Sequence, residues 1–214
     1  MAYDALDPSA TGVLFFDMLK AGFGTHDDAY ERLKAPIVAN CVRIREMADA
    51  HGIPVFFASA DHRPDGRDAV ILYSDLNREH EPWKDPENDR FRPYRTNIAG
   101  HWGSEVIDEL KLTPDDYVIP KHRKSAFLQT KLELSLRARG IDTIVLCGSA
   151  IASGIAATVY AAQDLDLNLV IVRDACNPLE GDVHDTFMDR VFPRIGRVRN
   201  AAEVIEMVQE GAAR

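Results

Sequence analysis

Short apolar runs alternate along the chain with longer stretches whose apolar residues recur every three or four positions, the pattern of successive βαβ units. Runs at 13–16, 54–59, 117–120, 143–147 and 169–172, with a weaker one at 197–199, are predicted strands. They are apolar on both faces, as in a parallel sheet covered by helices. Between them, 28–51 carries Ile37, Cys41, Ile44, Met47 and Ala48 at helical spacing and closes on Gly52, a C-cap signal. Further helices are expected at 130–139, 153–165, 182–191 and 201–209. The stretch 61–103 has neither period and contains several prolines and both tryptophans, which reads as a functional loop or lid.

In parallel α/β sheets ligands bind beyond the carboxyl ends of the strands. That rule singles out Asp17, the segment 59–63, Lys121 and the segment 147–154. Asp17 ends the run FFD and Lys121 ends VIPK. A carboxylate facing an ammonium beside apolar walls can trade a proton, because burial and pairing tune both groups. A structural ion pair is the other reading. The turn GSAIASG at 148–154 leads into a helix whose first N–H groups are unpaired, and its small residues let a ligand approach the backbone or let the helix pack closely on the sheet.

With 214 residues and 46% hydrophobic content the chain is expected to form one domain over 1–214. A formal charge of -9 argues against nucleic-acid or anionic-membrane partners, which need basic surfaces. No charged leader followed by an apolar run is seen, nor a run of about 18 apolar residues, so a cytoplasmic protein is expected. Cys41, Cys147 and Cys176 lie widely spaced in apolar segments and suit buried reduced thiols.

The segments LFFDM, PKHRKSAFLQTKLELSLRARGIDTIVLCG, GIAATVYAAQDLDLNLVIVRDAC and VFPR together resemble the isochorismatase-like hydrolase superfamily, also called the cysteine hydrolase family. The resemblance implies a three-layer αβα, Rossmann-like fold with a six-stranded parallel sheet, a small-molecule substrate, no cofactor, and a homo-oligomer, dimer or tetramer. It also implies, in the amidase members, an Asp-Lys-Cys triad whose thiolate attacks a carbonyl carbon. Asp17 and Lys121 match its first two members. Counting six residues on from Gly148 and four back from Thr158, the cysteine position is Gly154. Cys147 precedes the turn, and Cys176 belongs to the DAC motif after the fifth strand.

A glycine there resembles the true isochorismatases, which hydrolyse a vinyl ether without an acyl-enzyme. In such a site Asp17 would protonate a substrate carbon, Lys121 would balance the carboxylate, and the missing side chain at Gly154 would leave room for a larger substrate. Departures remain: those enzymes read GVYAH in the turn, where this chain has Gly148, Ser149, Ala150, Ile151 and Ala152. The expected substrate-binding set is Phe23, Arg63, Ser149, Ala150, Ile151 and Ser153. For Phe23 core packing is the alternative; Arg63, Arg67 and Arg123 could form bidentate pairs with a substrate carboxylate, though HRPDGRD can equally be an internally salt-bridged loop and Arg123 a structural residue of its motif. Ser153, turned by about 100° from its neighbour along an α-helix, would face away from the vacancy. Trp83, Phe91, Tyr94 and Trp102 could line a lid or an interface. The metal-binding nicotinamidase branch uses Asp-x-His, and Asp61-His62-Arg63 is one residue out of register, so no metal is expected; His62, His101 and His122 read as packing or surface residues. Three functions follow: a hydrolase without a cysteine nucleophile, an amide or carbamoyl hydrolase using serine or activated water, and a silent small-molecule binding homologue.

Overall fold

The computed structural model describes residues 4–24, 28–65, 68, 97–149, 151–177 and 181–213. Six parallel strands form one sheet: β1 (Thr11–Phe16), β2 (Val55–Ala60), β3 (Tyr117–Lys121), β4 (Thr143–Gly148), β5 (Asn168–Cys176) and β6 (Arg197–Arg199), in the order β3-β2-β1-β4-β5-β6. The helices are α1 (Lys20–Phe23), α2 (Asp28–Leu33), α3 (Ala35–Ala50), α4 (Leu132–Ala138), α5 (Ala156–Asp164), α6 (Asp182–Thr186) and α7 (Ala201–Ala212).

The two-residue period of a strand divides the core. Val13 and Phe15 of β1 face one way and pack with Ile44 of α3 and Val204 of α7. Leu14 and Phe16 face the other way and pack with Leu136 of α4 and Val159 of α5. The result is an α/β, three-layer αβα fold. Every residue of β1, β2 and β4 is buried, which explains their unbroken apolar runs. Each fully buried aliphatic or aromatic side chain contributes about 1.5–3 kcal/mol.

Several boundaries differ from the sequence reading, and three of them have a clear local cause or bear on the site. The helix expected over 28–51 is divided at Lys34, because Pro36 lies in the first turn of α3 and its ring restricts the residues before it. Strand β5 runs on to Cys176, so this cysteine ends the strand rather than following it; a register shift between Leu146 and Gly148 carries the pairing past Arg173 and Asp174. The helix expected from 153 begins instead with a π-helical turn, Ile151–Ile155, before α5. Among the described residues no helix is long and apolar enough to cross a membrane.

Strand order reverses direction between β1 and β4, and it is at such a switch point that crevices open beyond the strand ends. Asp17, Lys121 and the 148–154 turn all lie on this edge.

Candidate functional site

Asp17 follows β1 in a left-handed conformation, φ 50°, which short polar residues tolerate better than most. Its N–H is bonded to the Ala58 carbonyl at 2.9 Å, so the chain stays on the sheet while the side chain swings across the end of β2. There Oδ1 accepts the Ala60 N–H at 2.8 Å, and Oδ2 accepts from Lys121 Nζ at 2.7 Å. Lys121, the last residue of β3, is placed by pairing with Ala60. Its side chain is 5% exposed and that of Asp17 18%. The ammonium also lies 4.3 Å above the centre of the Phe16 ring, a cation–π contact.

On the other side of β1, Gly148 has φ 134°, and a Cβ there would come within 2.0 Å of the Phe16 carbonyl oxygen. That carbonyl accepts the Ser149 N–H at 3.0 Å. The π-helical turn then brings Gly154 against the same phenylalanine: a Cβ on Gly154 would lie 2.4 and 2.5 Å from Cε1 and Cζ of Phe16. The volume that a side chain on Gly154 would take is therefore occupied by the Phe16 ring. The Gly154 carbonyl accepts from Thr158 Oγ1 at 2.8 Å, and that oxygen accepts the Ala126 N–H at 3.0 Å, tying the turn to the SAF segment. Thr130 Oγ1 in turn donates to the Ala126 carbonyl at 2.6 Å, so the serine-to-threonine stretch 125–130 is a bracing unit around the site.

Asp17, Lys121, Ser153 and Gly154 share a cavity of about 190 Å³ with His62 and Arg123. Ser153 and Gly154 thus both line this space, on the π-helical turn Ile151–Ile155. A larger cavity, about 550 Å³, lies at the β3 edge and is lined by Ser59, Asp61 and His101. It contains neither Asp17 nor Lys121; the charge pair lies at the smaller one.

Other residues of the expected set lie elsewhere. Phe23 is buried in the core on the α3 side, with Lys34 Nζ 5.9 Å from its ring centre. Ile151 is buried in the core on the α5 side. Ser149 contributes its backbone bond to Phe16 and does not line the cavity. The exposed Arg63 is paired with Asp65 at 2.6 Å, the loop ion pair rather than a cavity-facing fork. Ala150, Arg67, Trp83, Phe91 and Tyr94 lie outside the described residues. Trp102 sits half-exposed in a short turn, Trp102–Ser104.

All three cysteines are buried and none lines the cavity. Burial, with Cys41 beside it, pushes the Cys147 thiol well up, and burial raises Cys176 as well.

One grouping was not foreseen. His62 Nδ1 lies 3.7 Å and His122 Nδ1 3.2 Å from the two carboxylate oxygens of Asp68. Burial lowers the His62 imidazole below its ordinary value; Asp68 opposes this, and His122 and Lys121 reinforce it. Two imidazoles and a carboxylate form a donor set suited to transition metals. Nothing in the spacing of these residues signals it, since Asp68 comes from the loop. Phe16 was also missed; its only signal is the strand alternation that puts it on the α5 side.

Residues 11–203 match the family model described as the isochorismatase domain. The isochorismatase family protein YecD of Escherichia coli O157:H7 is 44% identical over 96 residues, 45% of this chain and 51% of that protein. The chain thus matches about half the length of that relative. The phenazine biosynthesis protein PhzD of Pseudomonas fluorescens is 25% identical over 94% of this chain and 87% of its own. The crystal structure of N-carbamoylsarcosine amidase from Thermoplasma acidophilum superposes with a TM-score of 0.68 at 25% identity, covering 89% of this chain and 96% of that one.

Proposed function

We propose that this chain, which belongs to the isochorismatase family, is a small-molecule hydrolase working without a cysteine nucleophile, with Asp17 as general acid and base and Lys121 as its charged partner. The observation that carries this reading is the 2.7 Å Asp17–Lys121 pair at a cavity beside Gly154, while every thiol is buried away from it.

The chemistry such a pair supports is hydrolysis of a vinyl ether of the isochorismate type. The proton held between Lys121 Nζ and Asp17 Oδ2 passes from Asp17 to the terminal alkene carbon, and the ether oxygen shares the positive charge that develops on the neighbouring carbon. Water adds to that carbon, and the resulting hemiketal breaks its carbon–oxygen bond to give a carbonyl and an alcohol. The proton that water releases returns to the pair. Phe16 and Gly154 form an apolar wall that keeps the pair poorly solvated, which strengthens its electrostatic influence on the developing cation. The match of residues 11–203 to the isochorismatase domain supports this reading.

Amide or carbamoyl hydrolysis is the second reading. It is supported by the presence of Ser153 at the cavity and by the likeness to N-carbamoylsarcosine amidase. Product analysis by mass spectrometry, with isochorismate and a panel of small amides and carbamoyl compounds, separates the two. Isochorismate turnover lost in Asp17→Asn but retained in Ser153→Ala supports the first. Amide turnover lost in Ser153→Ala supports the second. Binding of a panel compound without turnover by the wild type would favour the silent homologue.

A further inference from the structure

We propose that His62, Asp68 and His122 bind one divalent first-row transition-metal ion at the rim of the Asp17–Lys121 cavity. The three residues offer one donor atom each, all within 4.8 Å of one another. Metal bonds to imidazole nitrogen and carboxylate oxygen are about 2.0–2.2 Å long. Two such bonds at tetrahedral or octahedral angles put their donor atoms about 3.0–3.5 Å apart. The 3.2 Å from His122 Nδ1 to Asp68 Oδ2 already meets this; His62 Nδ1 stands 3.7 Å from the other oxygen, Oδ1, so the set closes on one ion by a turn of the carboxylate and a small approach of the imidazoles, which lie within 4.8 Å of each other and of the carboxylate.

The framework around the donors is fixed. His62 lies two residues beyond β2 and His122 one residue beyond β3, on strands held in register by the Ala60 and Lys121 pairing. The His62 backbone is clamped on both sides, its N–H to the Asn97 carbonyl at 2.9 Å and its carbonyl from the Ala99 N–H at 2.8 Å. Asp68 is drawn in by the Arg63 N–H on its carboxylate at 3.0 Å and by Arg123 Nη1 on its carbonyl at 2.7 Å. Donors pre-positioned by such outer contacts lose little freedom when an ion arrives.

Two imidazoles and one carboxylate leave coordination positions open. Since His62 also lines the cavity, an ion held here would stand beside a substrate's oxygen or nitrogen donor. The set is not the Asp-x-His pattern in another guise: Asp61 lines the separate cavity at the β3 edge, and Asp68 and His122 take the remaining places.

The test is binding, so it can fail independently of the hydrolytic reading. Full-length protein stripped with chelator is titrated with CoCl2, followed by its visible d–d absorption, and with ZnCl2 by calorimetry. One ion per chain is expected, with affinity reduced by about ten-fold or more in His122→Ala and in Asp68→Asn. His122 is half-exposed, so its variant is expected to fold, which far-ultraviolet circular dichroism checks. Asp61→Asn and Asp17→Asn are expected to titrate like the wild type. Absence of saturable binding in the wild type overturns the proposal, as do titrations of His122→Ala and Asp68→Asn that superimpose on it, which would leave a His–Asp–His hydrogen-bonding cluster only. Loss of binding in Asp61→Asn with Asp68→Asn unaffected also overturns it.

Discussion

The ring of Phe16 occupies the volume that any side chain on Gly154 would need, with two ring carbons 2.4 and 2.5 Å from where its Cβ would stand. The same ring carries the Lys121 ammonium on its face. The Asp17–Lys121 pair and Gly154 are thus linked through one aromatic side chain.

Gly154→Cys is therefore expected to destabilise the protein by about 1–3 kcal/mol through overpacking. At about 2–4 °C per kcal/mol for a domain of this size, the loss is visible in a thermal melt. Adding Phe16→Leu is expected to recover part of it, since neighbouring substitutions that share one space are non-additive. A double variant no more stable than the sum of its parts would mean that the ring moves aside freely.

Asp17→Asn keeps a residue that tolerates the left-handed backbone and removes only the acid. Turnover on whichever substrate is found is expected to fall about 10²–10⁴-fold, with near-wild-type circular dichroism. Asp17→Val, which combines the loss of charge with a β-branched residue at φ 50°, is expected to lose stability as well. Full activity in Asp17→Asn would remove Asp17 from the chemistry.

The thiols carry a pH prediction. Burial raises Cys147 and Cys176 above their ordinary value of 9.0. The unfolded chain therefore releases these protons near pH 9 while the folded chain holds them, so stability is intact below that pH and falls as pH rises above it. Replacing Cys176 with Ser is expected to reduce the alkaline loss in urea melts at pH 8 and pH 10. At pH 8, iodoacetamide is expected to label the native protein slowly and the urea-unfolded protein fully. Rapid native labelling of Cys147 or Cys176 with loss of turnover would end the cysteine-free reading.

Thr158→Val keeps the shape of a fully buried side chain and deletes the oxygen that links Gly154 to Ala126. The Ala126 N–H loses that acceptor, at a cost of about 1–3 kcal/mol. Kinetics of this variant separate bracing from chemistry: a loss of stability with turnover altered only modestly is expected.

Much of this architecture was legible in the sequence because parallel strands buried on both faces leave unbroken apolar runs, as at Val13–Phe16. Asp17 and Lys121 were legible for the same reason, each standing where such a run stops. The end of β5 was hidden by Arg173 and Asp174, polar residues carried in the strand past a bulge. The break before α3 was written in Pro36 but masked by the helical period on either side. The position of Asp68 could not be read at all, because it depends on how a loop folds back over two strand ends. Nor could the contact between Phe16 and Gly154: strand alternation gives the face, but not which glycine the ring meets there.

The anchoring of the charge pair has a wider consequence. Asp17 and Lys121 are held by the backbone of β1, β2 and β3, whereas position 154 lies on a turn after β4 that is braced separately, by Thr158 and Ala126. The charge pair and position 154 thus stand on different strands and meet at Phe16, whose ring touches Lys121 and fills the space at Gly154. A change of residue at 154 is therefore expected to reach the Asp17–Lys121 pair through that ring, while the strand pairing that positions the pair stays in place.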